Sequence, residues 1–365
     1  MTPKIITLGG GMVGSAIARD LKQSGFVVTV ADREESLKEK LALFDIEYLS
    51  LDFSNLNAVS QAVQDFDLVI GAVPGFMGFS ILKTILQAGK NLADISFMSE
   101  DSREMDELAK SNGVTAVTDA GVAPGLSNLI FGKELAEFDQ LETAKCYVGG
   151  LPQNPQPPWW YKSVFSPIDV IEEYIRPARL VENGIEISRP AMTEIEKIEF
   201  NGVGRLDAFN SDGLRSLLNL PIPNMVEKTL RHPCHIQKII EMWDKGLFEA
   251  KKIKQTTAFL INEWNPSEDD YYQTIMRFEF KGLNNGNEVS KKYDLLDYYD
   301  EENNITSMAR TTGYTCCAVA HAILSGDFSK KGVFTMESFA DDKNLVQQIL
   351  NYLSVRNINF STEIN

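Results

Sequence analysis

Three glycines and a scatter of carboxylates, arginines and histidines are the residues of this chain with chemistry to offer. Gly9, Gly11 and Gly14 have the G-x-G-x-x-G spacing. They follow the apolar run Ile5–Leu8 and open a segment that puts Val13, Ala16, Ile17 and Leu21 on one helical face. In a strand–turn–helix setting the glycines allow a tight turn, close backbone approach to a pyrophosphate, and tight helix-on-strand packing. The helix N-terminus then faces the anionic phosphates. With Met12 and Val13 completing the turn, the motif predicts a dinucleotide cofactor. Asp32 ends the next apolar run, where an acid accepts hydrogen bonds from ribose hydroxyls and repels a 2′-phosphate. NAD is therefore the expected cofactor, and Arg33, able to hold that phosphate or stack on adenine, keeps NADP open. Asp52 is placed either to meet the adenine or to open the next turn. Ala72, Val73 and Pro74 end a further apolar run, where small residues let the nicotinamide half lie near the backbone.

A hydride acceptor needs a substrate, and polar residues elsewhere are candidates for handling one. Asp94 and Asp119 fall at expected strand ends, where a carboxylate either holds a cationic amine, takes its proton, or simply caps a turn. The loop 123–128 leads into a helix, so Asn128 is a candidate for receiving a substrate carboxylate. Lys162 follows the aromatic cluster Trp159, Trp160 and Tyr161. Arg176 and Arg179 flank Pro177, and arginine is the preferred bidentate partner of a carboxylate. Arg231 and His235 share the stretch Arg231-His232-Pro233-Cys234-His235, which holds two of the three histidines. Proton transfer or substrate hydrogen bonding suits His235 better than metal binding, since further ligands at compatible spacing are missing and no metal site is expected. Arg310 and Thr312 precede an apolar helix, which the threonines could equally cap.

These residues need elements to hold them. Short apolar runs at 5–8, 27–31, 47–51, 68–73, 92–95 and 115–118 alternate with helical segments near 13–24, 56–65, 79–88 and 102–111. That alternation predicts an α/β fold with a parallel Rossmann sheet over residues 1–124. After Gly125 the pattern changes to loops and irregular strands, including a hairpin of 273–281 and 288–295 about Gly282–Gly286, which predicts a second α+β domain over 125–305. Helices at 314–324 and 345–353 are expected to return the chain, over 306–365, to the first domain. The 365 residues exceed what one core usually holds. A formal net charge of −16 argues against nucleic-acid or anionic-membrane partners. The four cysteines lack a disulfide framework, the N-terminus lacks a secretion signal, and no run reaches the ~20 apolar residues of a membrane span. A cytoplasmic protein acting on a small molecule is expected.

Longer motifs carry more specific information. The segments 119–128 (DAGVAPGLSN), 147–152 (YVGGLP), 212–215 (DGLR), 228–231 (KTLR) and 308–314 (MARTTGY) resemble the saccharopine dehydrogenase family across nearly the whole chain. Within it they are most similar to the L-lysine 6-dehydrogenase group. The resemblance implies oxidation of the ε C–N bond of lysine or a lysine-derived amine to the 2-aminoadipate 6-semialdehyde level. It implies a substrate-carboxylate role for Arg176 and a homodimer formed through the second domain. Fungal members carry an Asp and a Cys where this chain has Ala123 and Val148, which points from saccharopine toward lysine. L-glutamate-forming saccharopine dehydrogenase is the nearest alternative. A carboxynorspermidine-type dehydrogenase and a silent NAD-binding regulator follow.

Overall fold

The computed structural model describes residues 2–163, 167–265 and 271–365. It divides into two units, Met1–Lys133 with Ala309–Asn357, and Glu134–Met308 with Ile358–Asn365.

The first unit alternates strand and helix: β1 (Lys4–Leu8), α1 (Met12–Gln23), β2 (Val27–Asp32), α2 (Leu37–Ala42), β3 (Glu47–Ser50), α3 (Leu56–Ala62), β4 (Leu68–Gly71), α4 (Gly75–Gln87), β5 (Asn91–Asp94), α5 (Asp106–Ser111), β6 (Thr115–Val117) and α6 (Leu126–Glu137). Later the chain adds α10 (Ser307–Ser325), β15 (Gly332–Phe334) and α11 (Lys343–Ser354). The sheet order is β15-β6-β5-β4-β1-β2-β3, and its neighbours pair in parallel. Ile5, Ile6, Leu8, Leu68, Val69 and Ile70 are all fully buried, as strands covered by helices on both faces require. Strand order reverses between β1 and β4, so the crevice at their carboxyl ends is the topological switch point where such sheets bind ligands.

The six expected strands are present, and β15 extends the sheet where three residues were too few to stand out. The expected break at 124/125 is displaced. The first unit continues into α6, whose Leu126, Leu129, Ile130 and Phe131 are buried. A side chain on Gly132 would lie only 2.6 Å from the backbone of Glu337. α10 starts at Ser307 rather than Tyr314, so Arg310 and Thr312 sit inside the helix rather than ahead of it.

The second unit contains β7 (Gln140–Pro152), α7 (Pro167–Ile175), β8 (Ala178–Glu182), β9 (Ile185–Arg189), β10 (Glu196–Phe200), β11 (Gly204–Asn210), β12 (Asn224–Arg231), α8 (Pro233–Asp244), α9 (Ile253–Glu263), β13 (Tyr272–Asn284), β14 (Asn287–Tyr298) and β16 (Phe360–Ile364). Its main sheet runs β10-β11-β12-β7-β13-β14-β16, with β8 pairing β12 and β9. The expected hairpin is β13–β14, but its turn is tighter. Asn284 faces Asn287, and Asn285 and Gly286 take φ of +51° and +76°, as a two-residue turn demands. Residues 360–364 end the chain as a strand beside β14 rather than a helix.

Candidate active site

The glycine turn follows β1 at the switch point. Gly9 has φ +108°, and a Cβ there would fall 2.3 Å from the carbonyl oxygen of Ala72; one on Gly14 would fall 2.0 Å from the carbonyl oxygen of Gly9. The turn, the start of α1 and the end of β4 are therefore packed backbone to backbone, with Ala72 bonded to Leu8 across the strands. Gly11, the N-cap of α1, supplies no capping side chain, and the first turn carries no acid. A Cβ on Gly11 would meet open space. This cradle fits a dinucleotide pyrophosphate, and Met12 and Val13 form the first turn that would face it. The Asp32 carboxylate accepts a hydrogen bond from the Gly10 amide at 2.7 Å and another from Glu34 at 3.0 Å, which pins it to the turn where a ribose would lie. Arg33 acts electrostatically on Asp52, whose carboxylate is held below its ordinary range, first by the Ser54 amide. Asp52 accepts that amide at 2.9 Å, so it builds the turn ahead of α3. Val73 is buried and Pro74 is the N-cap of α4, both just beyond the carboxyl end of β4.

Asp94 ends β5, two strands from the glycine turn. It is fully buried, its Oδ1 accepts the Ser96 amide at 2.6 Å, and its Oδ2 has no hydrogen-bond partner among the described residues. A Cβ on Gly71 would sit 2.0 Å from that Oδ2, so the carboxyl lies over the end of β4 only because residue 71 is glycine. Burial lifts the Asp94 carboxyl to about 7, against the pull of the Ser96 amide and with help from Asp119. It is poised to exchange a proton near neutral pH. Asp119, buried and held at φ +52°, follows β6 just before Ala120, whose amide donates to the Asp94 carbonyl.

The second unit holds a polar chain inside its aromatic core. Arg231 is buried. Its Nε donates to the Tyr174 hydroxyl at 3.0 Å, its Nη1 to the Leu230 carbonyl at 2.9 Å, and its Nη2 to Glu173. Tyr174 is 2.9 Å from His235 Nε2, and His235 Nδ1 is 2.9 Å from the Trp159 carbonyl. A carbonyl can only accept, so Nδ1 carries the proton and Nε2 accepts from Tyr174. Burial, with Arg231 close by, drops His235 to about 3. It stays neutral and engaged at both nitrogens, which does not suit the proton transfer expected of it. Arg231 is likewise no free cation for a carboxylate, because Glu173 already neutralises it. The polar strand positions continue with Thr229, which donates to Ser211 at 2.8 Å. Next is Glu227, whose carboxyl burial, Glu173 and Asp212 push up to about 8.

Other expected residues serve the framework. Lys162 donates to the carbonyls of Glu263 and Asn265 at 3.1 and 3.2 Å, closing the end of α9. The Asn128 carboxamide accepts from the Gly125 amide and donates to Glu337, each at 3.0 Å, and so anchors the start of α6. Arg310 donates to the Arg356 carbonyl at 2.7 Å. The Thr312 methyl lies 3.2 Å from where a Cβ on Gly121 would be. Arg176 lies 3.3 Å from Glu172, one helical turn back and part-exposed. Among the described residues no group of three His, Cys, Asp or Glu side chains is arranged to hold a metal ion. No helix there is long and apolar enough to cross a membrane. Tyr174, Glu173 and Glu227 escaped sequence reasoning. Their one signal was position: Glu227 alternates with Thr229 and Arg231 along β12, and Glu173 and Tyr174 precede Arg176 on α7.

Comparison with known proteins agrees with this layout. The saccharopine dehydrogenase NADP-binding domain model matches residues 5–117, and the saccharopine dehydrogenase C-terminal domain model matches 121–358. Over 300 residues the chain is 27% identical to the NADP-dependent, L-glutamate-forming saccharopine dehydrogenase of Pyricularia oryzae, covering 75% of this chain and 66% of that protein. It is 24% identical over 190 residues to the mitochondrial alpha-aminoadipic semialdehyde synthase of Mus musculus, spanning 20% of that protein. The fold superposes on apo saccharopine dehydrogenase (L-Glu forming) from Saccharomyces cerevisiae with a TM-score of 0.83 at 16% identity, covering both chains fully. With family models matching both halves, the chain belongs to the saccharopine dehydrogenase family.

Proposed function

We propose that this protein is an NAD-dependent dehydrogenase that oxidises the ε C–N bond of lysine, giving an imine that water converts to the 6-semialdehyde and ammonia. The observation that carries the reading is Asp94, a buried carboxyl with a spare oxygen that titrates near 7 at the ligand-binding edge of a dinucleotide sheet. An ammonium cannot surrender a hydride, so the amine must first lose its proton. A carboxylate matched to neutral pH is suited to take it. The nicotinamide, when bound, accepts the hydride. Asp94 holds the proton, Gly71 leaves room for its carboxyl, and the glycine turn with Asp32 orients the cofactor. The Asp32 carboxylate at the turn favours a free ribose over a 2′-phosphate, although the matching domain model and the Pyricularia oryzae relative bear NADP in their names.

A second reading has its own support. Oxidation of saccharopine with release of glutamate is the activity named for the fungal relatives. Against it stand Ala123 and Val148, apolar where fungal members are polar. Incubation with lysine or saccharopine and either NAD or NADP, following NADH or NADPH absorbance and then identifying the product, separates the two. Ammonia from lysine supports the first reading and glutamate from saccharopine the second. No reduced cofactor from either refutes both.

A further inference from the structure

Against the core of the second unit lies an open cleft of about 540 Å3 that the proposed reaction does not use. Its floor is Ile175, Met192 and Ile240, each part-buried and packed on that core, and Pro177, Pro190 and Trp243 stand around it. Trp243 is 40% exposed, yet its ring is fixed in place. The indole N–H donates to the Tyr174 carbonyl at 3.2 Å, and the ring lies tilted against Phe248 with centroids 5.4 Å apart.

The wall that follows β9 is strained. Met192 and Glu194 hold φ of +62° and +52°, a left-handed conformation that persists in residues with side chains only where neighbours over-determine it. Here they do. Thr193 donates to the Pro190 carbonyl at 2.7 Å, while the Asn210 amide donates to the Thr193 carbonyl at 3.1 Å and its carboxamide to Glu194 at 3.0 Å. Strain of this kind gathers at ligand clamps, and preformed, largely apolar concavities of roughly 300–1,000 Å3 are what small-molecule sites use.

The charges around the cleft define what it takes. Ser188 and Arg189 supply polar atoms to the lining. Arg189 is bracketed by Glu182 and by Glu194, the latter at 3.0 Å. A carboxylate ligand would meet two acids around one cation, and an ammonium would meet the guanidinium itself. An uncharged ligand avoids both, and an aromatic ring packs well against the Trp243 indole.

We propose that this cleft is a second small-molecule site, for an uncharged aromatic ligand bearing a neutral hydrogen-bonding group. Its lining residues all belong to the second unit, and the site is independent of which amine the protein oxidises.

Three probes on one benzyl frame test it by ligand-observed NMR titration of the full chain: phenylacetamide, phenylacetate and 2-phenylethylamine. Phenylacetamide binds with a Kd of about 1 mM, as its size dictates. Each charged probe binds about fivefold or more weakly, because its charge enters an apolar cleft unpaired. Ala191 lines the cleft, and Ala191→Phe fills it, abolishing phenylacetamide binding while the near-ultraviolet circular dichroism persists. Glu182→Gln strips one acid from Arg189 and narrows the discrimination against phenylacetate about threefold or more, an arm that stands whether or not Ala191→Phe folds. Saturating L-lysine or saccharopine leaves phenylacetamide bound. Displacement by either makes the cleft part of the reaction's own site and overturns the inference. So do equal binding of the three probes, unchanged binding in a folded Ala191→Phe, and binding of none. If none binds and sedimentation shows a dimer that Ala191→Phe dissociates, a second copy of the chain covers the cleft instead.

Discussion

Replacing Asp94 with Asn should move activity and stability in opposite directions. The Asp94 carboxyl titrates at about 7 in the folded chain against 3.8 ordinarily. Its pKa is raised on folding, so between those values the folded state binds more protons than the unfolded one. The sign follows: stability from this group is intact below about pH 4, drains as pH rises between the two values, and is gone above about 7. Fully ionised, the penalty approaches roughly 4 kcal/mol, and between pH 5 and pH 8.5 it grows by about 3 kcal/mol. Asparagine cannot ionise, so Asp94→Asn should gain about 3 kcal/mol on wild type between those two pH values, whatever its intrinsic fit. The same variant cannot take a proton, and kcat should fall about 10²- to 10⁴-fold. Denaturant unfolding at the two pH values gives the first quantity, and NADH production from lysine the second. A stability difference that does not change with pH would remove the claim that Asp94 is protonated near neutrality. Turnover within about threefold of wild type would remove its role as proton acceptor.

Asp32→Asn should lower the ratio of kcat/KM for NAD over NADP at least tenfold, by taking away repulsion of a 2′-phosphate near the glycine turn; initial rates with both cofactors check it, and an unmoved ratio contradicts the NAD assignment. Gly14→Ala places a methyl group 2.0 Å from the Gly9 carbonyl oxygen, so NADH binding by calorimetry should fall below detection while the second unit's near-ultraviolet signal persists. Arg231→Met leaves Glu173 buried without its partner and should cost about 3–5 kcal/mol. Adding Glu173→Gln should restore part of that loss in denaturant unfolding.

The first unit was legible because its signals are local. Strands buried on both faces read as unbroken apolar runs, and Gly9, Gly11 and Gly14 must stand at fixed offsets to let β1, α1 and the end of β4 touch. Asp32 was found for the same reason: it ends a strand whose position follows from the turn. The second unit resisted, since its sheet mixes distant segments. β12 lies in parallel beside β7, with Asn224 facing Thr143, a pairing that sequence separation hides. Lys162, Asn128 and Arg310 look like binding residues by type, but each meets a helix end or a backbone carbonyl that only folding brings near. Asp94 was visible as a carboxylate at a strand end; that it is buried over Gly71, and so titrates near neutrality, was not. Sequence alone determined which residues could bind a dinucleotide and which acids and cations were on hand. Tertiary structure decided which of them keep their ordinary chemistry, because burial and partners, set by distant segments, determine whether a side chain is charged, neutral or already engaged.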